Sequence, residues 1–285
     1  MTSQTPFPTL AAPEPPRRHG AAFAVSVITI VVGSCVAFAT LAGTGVSAVA
    51  SMADWRGDSV SFDDSYDASS DASTAQLSDL DIDVAGGELT VEFGDVEVAQ
   101  LDADTRGRSG WTFERDGDSL RVASPSGSFV DAGRGSRATL TLPRDLDGAG
   151  ITADIQVTGG ALDMTGGFGD VTVEVAGGTA SVDGAARDVD LTVSGGSVSA
   201  RIQDAETASF EVAGGELTAT FDGVTPTRTD VEVTAGSADI TLPDDEYRVR
   251  IDDGLGAVDN GLRTSSSAVA EVDVQATMGS ARLRS

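Results

Sequence analysis

The sequence lacks the residues that most catalytic and metal-binding sites need. Its only histidine, His19, precedes the longest apolar run, so the chain beyond that run has no imidazole for a catalytic triad or a histidine-based zinc site. Cys35 is the only cysteine, which excludes an intramolecular disulfide and a cysteine cluster. Neither a Walker A sequence nor a dinucleotide-binding fingerprint occurs. We therefore expect no enzyme, no catalytic residues, no cofactor and no resident metal.

Lysine is absent and aromatic residues are scarce. All 18 basic residues are arginine, against 45 acidic residues, which gives a formal net charge of −27. Such acidity argues against nucleic acid as a partner, because phosphate contacts need basic patches. With aromatics at 5%, the core must consist of Val, Ile, Leu and Ala, which suits narrow β-coils.

A long uncharged stretch near the N-terminus predicts a membrane anchor. Residues 1–20 are polar and proline-rich and include Arg17 and Arg18, whereas residues 21–50 carry no charge. This length exceeds the roughly 20 residues that a helix needs to cross a bilayer. The arginines before it and the aspartates after it place the N-terminus in the cytoplasm. We expect a single-pass membrane protein with an extracellular C-terminal domain.

Two other readings of this stretch stay open, and both also export the C-terminal part. It could be a cleaved signal peptide, with small residues at 48–50 or 51–53 as cleavage sites. It could also be a lipoprotein signal, with residues 32–35 as the lipobox and Cys35 lipidated. Residues 51–76 follow, rich in Ser and Asp, and predict a disordered linker.

Beyond the linker, one sequence motif recurs: alternating β-branched residues, then a small residue, then a glycine pair. It occupies residues 155–160, 173–178, 191–196 and 210–215, with a first copy upstream at 82–87. From Gly159 onward, successive glycine pairs stand 18, 18 and 19 residues apart. A fixed short period of strand-and-turn units is typical of a solenoid, in which each coil buries its apolar face against the next.

Within a repeat, the residue types predict where each side chain points. Val171, Val173 and Val175 alternate with polar residues, which sends the valines to one face of a strand. The pair Gly177 and Gly178 then makes a corner that a Cβ would obstruct. We predict an all-β, right-handed single-stranded β-helix-like solenoid over residues 77–285. The alternative is an antiparallel sandwich, whose hairpins would not need a constant period. Degenerate copies follow at 231–236 and 272–279.

Residues 96–150 differ from the repeats. Predicted strands at 111–115, which begins with Trp111, and at 120–122 flank Asp116-Gly117-Asp118, a sequence typical of a hairpin turn. Another predicted strand follows and ends at Pro143. We expect this segment to be an irregular cap at the N-terminal end of the solenoid, because a cap shields an exposed strand edge. Trp111 is expected to pack in the cap or core, with ligand stacking as the alternative.

The hairpin, the strands ending at Pro143 and Pro243, and the glycine-pair coils together resemble the DUF4097 family of proposed bacterial adhesins and its auto-transporter-adhesin-like relatives. The resemblance covers residues 77–285. It implies a β-solenoid exposed at the cell surface. No catalytic motif comes with that family, so it implies no functional residue here.

The acidic residues raise two further possibilities. Residues 166–170 approach a calcium-binding nonapeptide, but the aspartate falls one place early, so that match fails. Generic calcium binding by corners such as 244–245 or 252–253 stays open. Glu174, Asp190 and Glu211 could form an outward acidic stripe. A sugar-cleaving site would also need aromatic platforms, and residues 169–285 contain only Phe210, Phe221 and Tyr247.

The sequence thus favours a non-enzymatic, surface-exposed, adhesin-like or structural cell-envelope protein. Its partners would be the membrane, through residues 21–50, and an unidentified surface or envelope ligand, either protein or polysaccharide. The alternative is an envelope-stress or signalling accessory whose solenoid senses a ligand. That version needs a membrane protein partner, because the short N-terminal tail has no recognisable output domain.

Overall fold

The structure is a computed structural model, which describes residues 77–104, 110–125 and 136–285. The expected anchor at 21–50, the linker at 51–76 and the tail at 1–20 all lie outside the described residues. Within them, the chain is all-β as predicted, with one short 3₁₀ helix, Arg144–Leu146. The strands are β1 Asp79–Val84, β2 Glu88–Gly94, β3 Gln100–Asp104, β4 Thr112–Asp116, β5 Ser119–Ala123, β6 Arg137–Pro143, β7 Thr152–Val157, β8 Ala161–Thr165, β9 Asp170–Val175, β10 Thr179–Ala185, β11 Asp188–Val193, β12 Ser197–Gln203, β13 Thr207–Val212, β14 Glu216–Asp222, β15 Arg228–Val233, β16 Ser237–Thr241, β17 Glu246–Asp252, β18 Ala257–Asn260, β19 Arg263–Thr264, β20 Ala270–Ala276 and β21 Ser280–Arg284.

These strands form two large sheets. Sheet A has the order β19-β17-β20-β15-β13-β11-β9-β7-β1-β5-β4, and sheet B has the order β18-β21-β16-β14-β12-β10-β8-β2-β6-β3. From β7 to β16 consecutive strands alternate between the two sheets, and neighbours within a sheet run parallel. Both sheets are mixed because β3 pairs antiparallel with β6, and β4 pairs antiparallel with β5 across the predicted hairpin.

The register of sheet A follows the sequence period. Ala153 pairs with Val171, Val171 with Val189, and Val189 with Ala208. These are the same steps of 18, 18 and 19 residues that separate the glycine pairs. The valines of β9 are buried and the residues between them are not, so the predicted alternation is confirmed. Inward side chains of both sheets belong to one hydrophobic cluster.

Stacked glycines let the coils approach one another at the corners. A Cβ at Gly178 would stand closer than 3.0 Å to the carbonyl oxygen of Gly160, and one at Gly196 would meet Gly178 in the same way. The row continues in both directions, through Gly87, Gly160, Gly178, Gly196, Gly215, Gly236 and Gly279. The upstream copy at residues 82–87 is therefore part of the stack, because β1 lies directly beside β7.

Chain order and spatial order differ at both ends of the stack. In sheet A, β1 lies between β5 and β7, and β20 lies between β15 and β17. In sheet B, β2 and β21 are enclosed in the same way. The copies at 231–236 and 272–279 are consequently neighbours, although β16 to β19 separate them in sequence. The interval 96–150 supplies the outermost strands at the other end, β3 and β4.

Candidate functional surface

The outward face of sheet A is built by the alternation within its strands. In β9, Thr172 and Glu174 face away from the core because the valines between them face inward. Parallel register then places the outward residues of successive strands side by side, at the strand spacing of about 4.8 Å. An outward residue is therefore one member of a row that runs across the whole sheet.

The middle of this face carries four carboxylates, Glu174, Asp190, Glu211 and Glu232, which we call the acidic patch. Glu211 pairs directly with Glu232 on the next strand. Glu174 belongs to the same row, two strands away from Glu211, with Thr192 between them. Asp190 lies in the adjacent row, between Thr172 and Ser209. The expected stripe of Glu174, Asp190 and Glu211 is thus a staggered cluster over two rows.

Crowding raises the pKa of two carboxyl groups in the acidic patch. Burial among protein atoms in the middle of the sheet raises the pKa of Asp190 above its usual value, although its side chain reaches solvent, and the Glu174 charge adds to this. The pKa of Glu211 is also raised, first by partial burial and then by the charges of Glu232, Asp190 and Glu174. Each group is therefore less stable as an anion than a free side chain.

Arginine compensates the acids elsewhere on this face. Arg187 pairs with Asp170 at 2.6 Å and with Asp188 at 3.0 Å, and Arg228 pairs with Asp230 at 2.6 Å. Among the described residues, no ion pair includes a member of the acidic patch. The patch is consequently a local excess of negative charge on this face.

The outward face of sheet B has a different chemistry. Ser181, Ser199 and Thr218 stand side by side on β10, β12 and β14, and Thr220 and Thr241 are paired in the next outward row. The sequence led us to expect one face that was both acidic and rich in Ser and Thr. Sheet A combines these groups, because Thr172, Thr192 and Ser209 lie beside the carboxylates of the acidic patch, whereas the central rows of sheet B are richer in hydroxyl groups. Strand position relative to the glycine pair could have revealed this.

The aromatic side chains of residues 169–285 do not form a sugar platform on these faces. Phe210 and Phe221 are buried against each other, with ring centroids 5.7 Å apart. Tyr247 is fully buried and donates its hydroxyl hydrogen to the carbonyl oxygen of Pro243 at 2.6 Å. Trp111 packs partly buried against the core, as expected, and its Nε1–H donates to Ser136 Oγ at 2.8 Å.

Of the two aspartate corners, 244–245 is engaged in local contacts. Asp244 pairs with Arg263 at 3.1 Å, and Asp245 accepts hydrogen bonds from Thr225 and from the backbone of Glu246. In the failed calcium motif, Asp170 pairs with Arg187. Over residues 77–104, 110–125 and 136–285, no group of three or more candidate ligand side chains is arranged around a common point for a metal ion. The same residues include no helix long and apolar enough to span a bilayer.

Comparisons with known proteins give matches among solved structures. No family model matches the chain, and no curated protein matches it. A crystal structure of a proposed cell adhesion protein from Clostridium sporogenes aligns with a TM-score of 0.30 at 12% identity. The alignment covers 74% of this chain and 94% of that one.

Proposed function

We propose that this chain is a non-enzymatic, adhesin-like or structural protein of the cell surface, anchored by one transmembrane helix at residues 21–50. Residues 77–285 then lie outside the cell as a β-solenoid. The chain would act by holding extended faces of fixed chemistry at a distance from the membrane, with the linker at 51–76 as the spacer.

The solenoid assignment is supported by the path of the chain from β7 to β16. Each strand is followed by a strand of the other sheet, and each pairs in parallel with the equivalent strand one coil later. The glycine row at one corner supports the same path, because every coil meets the next through the same backbone atoms. A chain of this kind gains rigidity from stacking instead of from a broad core.

The observation that carries the functional proposal is the continuity of the two faces. Outward residues stay in register over strand after strand, so each face repeats its groups at a fixed spacing of about 4.8 Å. Repeated weak contacts to a surface add together when their spacing is fixed in advance, because later contacts form without a new entropy cost of association. An extended ligand, such as a fibrous protein or a polysaccharide, can use such a face along its length.

The test displays the full chain on cells and measures their retention on surfaces coated with collagen or with purified cell-wall polysaccharide. One variant neutralises the acidic patch through Glu174→Gln, Asp190→Asn and Glu211→Gln. A second replaces Ser181, Ser199 and Thr218 with arginine. The matched control for the first variant neutralises three exposed carboxylates of sheet B, through Glu92→Gln, Asp163→Asn and Glu216→Gln.

We expect retention of the unmodified cells on at least one surface, and a severalfold loss in one face variant but not in the control. Equal retention by cells with and without the chain on both surfaces would overturn the adhesive role. Release of reducing sugar that disappears in Glu174→Gln would overturn the non-enzymatic one. Protease treatment of intact cells tests the topology: residues 77–285 should be cleaved or shed, and full protection would contradict the proposed orientation.

A further inference from the structure

The C-terminal end of the two-sheet stack has open strand edges. On its outer side, β17 pairs only with the two residues of β19, at Glu246 and Tyr247. From Arg248 to Asp252 its outer edge has no strand partner among the described residues. In sheet B, β18 pairs with β21 on one side and is the outermost described strand on the other. Both sheets therefore end in backbone groups able to pair with another strand.

The chain covers only half of this end. Residues 261–269 fold over the Tyr247 side, where Leu262 and Ala268 are buried. The backbone of Ser265 donates to the Tyr247 carbonyl at 2.9 Å, and Arg248 Nη2 donates to the Ala268 carbonyl at 3.0 Å. These contacts fix the loop on one half and leave the other half of the end uncovered by it.

Apolar side chains that point towards the core remain accessible on the uncovered half. Ile251 is 43% exposed, although its partner on the inner neighbouring strand, Val274, is 3% exposed. Leu255, in the turn that joins β17 to β18, is 87% exposed. Val258 is half-buried, whereas its inner partner Ala281 is buried. The apolar side chains of the final coil are thus not covered by a following coil, as those of the earlier coils are.

The opposite end of the stack is finished differently. Its outermost strand in sheet A, β4, presents the exposed charged residues Glu114, Arg115 and Asp116. Charged side chains on an edge strand discourage pairing with another chain. The edge of β17 is charged as well, at Arg248, Arg250 and Asp252, but the order of its charges lets Arg248 face Asp252 of a second, antiparallel copy.

Charge favours a second copy of the same chain as the occupant. Residues 246–285 contain five arginines and six carboxylates, so this end is nearly neutral in a chain whose formal charge is −27. Two copies therefore meet little net repulsion at this end. A two-fold axis relating the copies makes β17 run antiparallel to its equivalent, so that one self-complementary edge forms the interface.

One register satisfies both the apolar and the charged residues of β17. With Arg250 opposite Arg250 of the second copy, Val249 lies opposite Ile251, and Arg248 lies opposite Asp252. Each of these pairs occurs twice because of the symmetry. The two central arginines keep their own counter-ions, since Arg250 pairs with Glu271 and with Asp273 at 3.2 Å.

We propose that the C-terminal end, formed by β17, Leu255 and β18, docks end to end on a second copy of this chain. The two stacks then continue as one longer stack of about twice the length. This proposal depends on the edge and its charge alone, and it holds whether or not the chain mediates adhesion.

The test uses the full chain in detergent, with Cys35→Ser so that introduced thiols are unique. Arg250→Cys places two cysteines at the self-paired position, where facing Cα atoms of an antiparallel pair are about 4.5 to 5.5 Å apart, within disulfide range. Thr218→Cys, exposed in the middle of sheet B, is the control. We expect mild oxidation to give a covalent dimer with Arg250→Cys and not with Thr218→Cys. Equal cross-linking in both would overturn the interface.

Sedimentation equilibrium supplies the second measurement. The chain without cysteine substitutions should have twice the monomer mass of 28.8 kDa. Ile251→Lys should return it to the monomer, with unchanged circular dichroism, because that side chain is already partly exposed. A monomeric unsubstituted chain, a dimer that survives Ile251→Lys, or open polymers larger than a dimer would each overturn the proposal.

Discussion

The two glycines of a corner pair should differ sharply in their tolerance of alanine. Gly178 has φ +86°, and a Cβ there would stand within 3.0 Å of the Gly160 backbone. Gly177 is not among the described residues with positive φ, and a Cβ on it would lie 3.1 Å from the Thr158 carbonyl oxygen. Alanine at Gly178 is therefore both strained and obstructed, whereas at Gly177 the neighbour needs to move by only a few tenths of an ångström.

The size of the difference follows from these two terms. A non-glycine residue in the left-handed region costs about 1 to 2 kcal/mol, and forcing extra volume into a packed site adds about 1 to 3 kcal/mol. Gly178→Ala should therefore lower the free energy of unfolding by roughly 2 to 5 kcal/mol. For Gly177→Ala, the entropy that alanine removes from the unfolded chain, about 0.4 to 1 kcal/mol, offsets the tight contact, and the net change should be below about 1 kcal/mol.

Urea unfolding followed by far-ultraviolet circular dichroism measures both variants against the unsubstituted chain. For a folded region of this size, each kcal/mol also corresponds to about 2 to 4 °C in the melting temperature, so Gly178→Ala should melt about 4 to 20 °C lower. Hydrogen exchange should show the loss concentrated in β7 to β10, which flank this corner and the Gly160 corner that the new Cβ would meet. Equal destabilisation by the two variants, or none by Gly178→Ala, would refute the stacked-corner explanation.

Two further outcomes follow from groups whose pKa values are raised in the folded chain. The pKa values of Glu211 and Asp190 are raised in the folded chain, so stability should increase as the pH falls from neutral towards their ordinary values of 4.5 and 3.8. Glu211→Gln should accordingly raise the melting temperature at pH 7 by more than it does at acidic pH in calorimetry; the reverse order would contradict the sign. Tyr247→Phe leaves the Pro243 carbonyl without its hydrogen bond and should cost about 1 to 3 kcal/mol in urea unfolding, with an unchanged midpoint as the contrary result. Burial, the largest contribution, raises the pKa of Tyr247 to about 12, so its phenol should ionise at a higher pH than that of an exposed tyrosine.

Much of the central fold could be predicted from the sequence because its signals are local. Alternation of valines with polar residues sets the face of each side chain, and the glycine pair sets the corner. The order of coils at the two ends could not be predicted. The sequences of β1 and β20 do not indicate that β5 will pair on the outer side of β1, or that β17 will pair on the outer side of β20. Parallel valine-rich strands fit many neighbours equally well.

The candidate surface was predictable in composition but not in arrangement. The sequence identifies Glu174, Asp190 and Glu211 as outward residues, because each stands between inward ones. Their rows depend on register, and the step from β9 to β11 aligns Glu174 with Thr192, which leaves Asp190 one row aside. Glu232 completes the patch through a longer step of the chain, so its proximity to Glu211 needed the sheet itself.

The enclosed position of β1 has a mechanical consequence. The described chain enters the stack at Leu77, and β1 is hydrogen bonded to β5 on one edge and to β7 on the other. Backbone hydrogen bonds begin just before the strand. The Ser78 N–H donates to the Asp118 carbonyl, and the Ser78 carbonyl accepts from the Thr152 N–H, both at 2.9 Å. Tension applied through the N-terminal segment must therefore shear two rows of hydrogen bonds at once. A strand at the rim would be held by one such row, so the release of β1 requires more hydrogen bonds to break.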